Sequence, residues 1–103
     1  MRTTIAFLAL VALASAAFAA DSPHTAWIKA KCAVCHGEDG AGKNPEGKRR
    51  NVPDLRSNDI QKHTDAELFD MIAAGHGKMP SFKAFNKDHI TLLVAYIRSI
   101  AAK

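Results

Sequence analysis

The stretch "KCAVCHGEDG", from Lys31 to Gly40, holds both cysteines of the chain, Cys32 and Cys35, with His36 directly behind the second. Two thiols at this spacing can be a redox dithiol, half of a zinc site, or the point where haem is joined to protein. Zinc requires four ligands, usually a second Cys/His pair at similar short spacing. The remaining histidines are His24, His63, His76 and His89, and none lies three to five residues from another. A redox dithiol sits between a strand and a helix in a βαβ pattern, and this chain carries almost no strand signal. Two buried structural cysteines would leave His36 unexplained. Haem attachment accounts for all three residues: two thiols add to the two vinyl groups on one edge of the macrocycle, and the following imidazole lies beneath the iron.

His36 would take one side of such an iron, so the opposite side must be filled or left open. Apart from the initiator, the methionines are Met71 and Met79. Met71 falls on an apolar helical face beside Leu68 and Ile72 and reads as core. Met79 follows "GHGK" and precedes Pro80, where no helix face explains a thioether. Flexible glycines before it and a rigid proline after it suit a ligand held at a set distance from a metal. Thioether ligation opposite histidine raises the haem potential and suits electron transfer. A gap-filling role is the alternative for Met79, and His76 is its rival as ligand. His24, His63 and His89 read as solvated or capping residues.

These residues must be carried by elements that the remaining sequence specifies. Met1 to Ala20, "MRTTIAFLALVALASAAFAA", has one Arg, an apolar run and a small-residue ending, the layout of a secretory signal peptide cleaved after Ala19. The run is short and alanine-rich for a membrane anchor, which needs about 20 apolar residues. Export would place Cys32 and Cys35 in an oxidising compartment, and thioether bonds would consume both thiols. Residues 20–103 then form one small domain, of a size that often needs a staple or cofactor for stability. Loss of Arg2 with the leader takes the formal charge from +4 to +3, a mildly basic balance. Three helices are expected. The first runs from Ser22 or His24 to about Ala33. The second opens with the capping box Thr64-Asp65-Ala66-Glu67 and ends at Gly75. The third opens near Asn86 or Asp88, with Ile90, Leu93, Val94, Ile97 and Ala101 on one face. Residues 37–59, rich in Gly, Pro and charge, read as loop. The fold class is all-α.

"CAVCHGEDGAGK", "VPDL", "DAELFDMIAAGHGKMPSF" and "LLVAYIRSI" together resemble a small bacterial class I cytochrome c over nearly all of the chain beyond the leader. The resemblance implies three main helices and long loops wrapped around one covalently attached haem c. It implies a crossing of the first and last helices near Trp27 and Tyr96, and His36 and Met79 as axial ligands. It also implies a proline carbonyl that accepts the hydrogen bond of the ligand imidazole, a role carried onto Pro53, which would orient the ring.

With both axial positions filled by protein, the iron passes single electrons and offers no open position to a substrate. The expectation is therefore a soluble periplasmic electron carrier rather than an enzyme. The alternative is a haem enzyme or sensor, peroxidase-like or gas-binding, with a labile or absent Met79 ligand. Lysines and arginines flank the haem-proximal segments and would steer a monomer to acidic redox partners through a small, transient interface. The "GKRR" run is a poor nucleic-acid signal in an exported chain. Arg56 or Arg98 is expected to pair with a haem propionate.

Overall fold

In the computed structural model, which describes residues 21–102, Ser22 caps the first helix. Its Oγ accepts a hydrogen bond from Thr25 N, and Pro23 occupies the first turn, where a missing N–H costs nothing. The leader expected over 1–19 lies outside the described residues.

α1 (Pro23–Lys29) stops well short of the expected Ala33. Lys31 adopts φ 61, the left-handed region that side chains with a Cβ disfavour. This kink separates α1 from a single helical turn, α2 (Ala33–His36). One expected helix is thus two: Trp27 on the first is buried in the core and reaches the cavity wall that Cys32, Cys35 and His36 also line.

The segment read as loop contains α3 (Pro45–Arg50), and α4 (Asn58–Gln61) begins inside it. Pro45 suits a helix start for the same reason as Pro23, and Asn51 ends α3 at φ 54. The basic run Lys48-Arg49-Arg50 is the last turn of that helix, where cations complement the helix dipole. Arg49 and Arg50 both pair with Glu46, at 2.7 and 3.3 Å.

α5 (Asp65–Ala74) carries the expected capping box. Thr64 Oγ1 accepts from Glu67 N at 3.1 Å, and Glu67 Oε1 accepts from Thr64 N at 2.9 Å. α6 (Lys87–Ser99) is capped by Asn86 Oδ1, which accepts from His89 N. Ile90, Leu93, Val94 and Ile97 are buried as its apolar stripe predicts, while Ala101 lies beyond the helix end. The described residues contain no strand; a lone antiparallel bridge joins His76 and Met79. The chain is all-α, with six helices among the described residues where three were expected.

α1 packs across α6, and Trp27 meets Tyr96 with ring centroids 4.7 Å apart. Trp27 and Leu93 are the most deeply buried large side chains, each a contribution of about 1.5–3 kcal/mol from apolar burial. Leu68 and Ile72 of α5 complete this core. Two polar latches hold the frame. Tyr96 donates its hydroxyl to the Glu38 carbonyl at 2.9 Å, fixing the loop behind α2 to α6. Arg98 donates to Asp65 Oδ1 and to the carbonyls of Gln61 and His63, fixing the α4–α5 connection to the same helix.

Candidate functional site

Cys32 and Cys35 lie three residues apart across α2, a spacing that puts both thiols on one helical face. His36 N donates to Cys32 O at 2.9 Å, so the imidazole leaves from the end of the same turn. The chain then doubles back, with Gly42 N donating to His36 O at 2.8 Å. α3 backs this turn closely: Asn44 Nδ2 donates to Val34 O, and Gly47 lies against the Cys35 and Gly42 carbonyls.

Met79 is set from the other side by the end of α5. The last carbonyls of a helix have no partner within it, and here the following loop supplies two. Phe82 N donates to Ile72 O at 3.1 Å, and Ser81 Oγ donates to Ala73 O at 2.7 Å. Between them, His76 and Met79 exchange backbone hydrogen bonds of 3.1 and 2.9 Å across the two-residue turn Gly77-Lys78. Gly77 has φ 58, as a glycine at the first central position of a type II′ turn requires. The Met79–Ser81 backbone lies directly on Gly75, where no side chain fits.

α2 and this loop face each other across a cavity of about 640 Å³. Its wall includes Cys32, Cys35, His36, Pro53 and Met79, every site residue expected from sequence. Leu55, Leu68, Ile72, Leu93 and Ile97 form its apolar lining. Met71, read from sequence as core, is half-buried and lines the cavity, while Leu68 and Ile72 beside it are buried. His63, read as solvated or capping, is half-buried on the same wall, and His76 is exposed at its rim.

Arg56 and Arg98 are engaged elsewhere. Neither lines the cavity: Arg56 is occupied by Asp54 at 3.0 Å, and Arg98 by its latch. The cationic residues on the wall are Lys31, Arg50 and Lys78, all exposed. All three belong to the lysines and arginines that the sequence places beside the haem-proximal segments.

Burial governs the electrostatics of the donors. It pushes the Cys32 thiol up to about 11, against the opposing effect of a backbone hydrogen bond. The same cause holds the His36 imidazole below its ordinary value, so the ring is neutral at neutral pH, the form in which it ligates metals. His36 Nδ1 is buried without a hydrogen-bond partner, so no bond joins it to Pro53 in this structure. Trp27, 6.0 Å from His36 between ring centroids, likewise has an unpartnered Nε1.

The cavity brings together two thiols that could add to the vinyl groups of a haem and an imidazole and a thioether that could ligate its iron. The cavity volume is of the size that encloses cofactors, about 300–1,000 Å³. Among the described residues, no group of three or more His, Cys, Asp or Glu side chains is placed to hold a bare metal ion. A family model described as cytochrome C oxidase, cbb3-type, subunit III matches residues 19–97. No curated protein matches the chain.

Proposed function

Since the chain belongs to this haem-binding cytochrome c family, we propose that it is a monohaem electron carrier of the small class I type, exported to the periplasm. In this reading Cys32 and Cys35 would anchor the macrocycle, and His36 and Met79 would ligate its iron. The observation that carries the reading is the convergence of these four side chains on one cavity from two separate elements.

When bound, haem supplies an iron that takes up and releases one electron. The residues around it set the terms. Cys32 and Cys35, on one turn, fix the macrocycle edge relative to His36. The depressed imidazole basicity of His36 keeps it available for coordination without competition from a proton. Met79 donates a soft sulfur, which favours the reduced metal and raises the potential. The apolar lining from Leu55, Leu68 and Ile97 excludes water, which keeps the environment similar before and after transfer. Pro53 is the acceptor this reading assigns to the His36 Nδ1–H, a buried donor otherwise without a partner. With His36 and Met79 both bound, the iron would offer no open position to a substrate, and the chain would serve as an electron carrier.

Lys31, Arg50 and Lys78 stand exposed at the cavity rim. They would steer a monomeric carrier to acidic patches on redox proteins through small, short-lived interfaces. Among the described residues no helix is long and apolar enough to cross a membrane.

The test is the absorption spectrum of the oxidised protein made in cells that attach haem. A weak long-wavelength sulfur-to-iron charge-transfer band that disappears in Met79→Ala supports the assignment. Attached haem without that band in the parent protein overturns Met79 as ligand. Absence of covalent haem overturns the whole reading.

A further inference from the structure

The turn that presents Met79 presents a second donor with it. His76 and Met79 are the two ends of the turn and exchange both backbone hydrogen bonds, His76 N to Met79 O at 3.1 Å and Met79 N to His76 O at 2.9 Å. Residues paired in this way send their side chains to the same face, with Cβ atoms roughly 4.5–5.5 Å apart. Both side chains line the cavity, Met79 half-buried and His76 exposed. Among the described residues, no hydrogen bond or ion pair restrains the His76 imidazole. Beside it, Gly77 has open space where a side chain would stand, so nothing crowds the tip of the turn next to His76.

We propose that His76 is an alternative iron ligand that displaces Met79 in the oxidised protein and yields to it in the reduced one. This rests on the His36/Met79 reading above. A thioether is the softer donor and favours ferrous iron, whereas an imidazole nitrogen tolerates the harder ferric ion. A ligand that raises the potential therefore binds the reduced metal more tightly, by linkage. In the exchange an Fe–S bond breaks and an Fe–N bond to neutral imidazole forms, with no electron or proton transferred; the electron comes and goes through the redox partner. The same cavity wall holds two competitors. Lys78 occupies the turn itself, and His63 has its Nδ1 3.5 Å from Glu67 Oε2 and its carbonyl bound by Arg98. His76 differs from both in sharing the face of Met79 without a restraining partner.

The consequence is a gate: oxidised protein held by His76 has the lower potential and accepts an electron only as Met79 returns. The experiment compares the haem-loaded parent protein with His76→Ala, Met79→Ala and the double variant, all at one pH. It reads the sulfur-to-iron band, the iron spin state by magnetic resonance, and voltammetry at several scan rates. The expected results are a stronger band in His76→Ala than in the parent, and loss of scan-rate dependence in that variant. Met79→Ala should remain low-spin, with that signal lost in the double variant. Identical spectra and voltammetry for the parent and His76→Ala would overturn the exchange. So would a low-spin signal that survives in the double variant, which would assign the position to Lys78 or His63. A band absent from both the parent and His76→Ala overturns the Met79 reading itself, and is recognised as that separate failure.

Discussion

A methyl group added at Gly47 would sit 2.3 Å from the Gly42 carbonyl oxygen and 2.5 Å from that of Cys35. Both are backbone atoms, so neither yields by a rotamer change, and α3 must move away from the turn that carries the thiols. Gly47→Ala is expected to lower stability by about 1–3 kcal/mol through overpacking and to reduce the fraction of protein that retains haem. Denaturant unfolding and the haem-to-protein absorbance ratio measure the two effects. Leu93, nearly sealed at 1 % exposure, lies at the opposite extreme. Leu93→Ala leaves a void, expected to cost about 2–5 kcal/mol, read from the same denaturation curves. Gly47 was seen in the sequence only as one glycine of a loop, because its close neighbours belong to a different turn of chain.

At the scale of elements, α5 and its following loop decide where Met79 stands. Thr64→Ala removes the cap at the front of the helix and should cost about 1 kcal/mol, seen as a lower melting temperature with the absorption spectrum intact. Ser81→Ala acts at the other end, freeing the Ala73 carbonyl and one of the two ties that hold the loop. That exposed bond is worth only about 0.5–1.5 kcal/mol to stability. Its loss should weaken the sulfur-to-iron band more visibly than it shifts the melting point, and a band unchanged in strength would exclude this role for Ser81. The capping box was legible because its partners are three residues apart. The loop ties were not, since a serine eight residues from its acceptor has no periodic signature.

For the whole molecule, pH sets limits on both sides. Hydrogen bonds from Arg56 hold Asp54 below the ordinary carboxylate range; Arg49 and Arg50 do so for Glu46, and the Thr64 cap for Glu67. A folded-state value below the unfolded one means stability present above the unfolded value, near 4, and lost as pH falls through the folded values. Tyr96 is shifted upward by burial, so the unfolded chain ionises first and stability falls as pH rises past the ordinary tyrosine value of 10. Denaturant midpoints of the haem-loaded protein measured across pH should therefore be highest between these limits. In Arg56→Ala the acid-side decline should flatten, because Asp54 loses its partner.

The residues that can do chemistry were evident in the chain alone. C-x-x-C-H, a methionine in the Gly-Lys-Met-Pro loop, the Thr64–Glu67 box and the stripe from Ile90 to Ile97 are all local patterns, since each depends on neighbours within a turn or two. Tertiary structure decided what those patterns face. It broke the first helix at Lys31, folded α3 against the thiol turn, and set Met71 on the cavity wall beside Leu68 and Ile72. It also committed Arg98 to Asp65, 33 residues away. Local hydrogen bonding and side-chain periodicity are encoded over a few residues. Which surfaces meet is settled only when distant segments compete for the same apolar faces and the same charged partners.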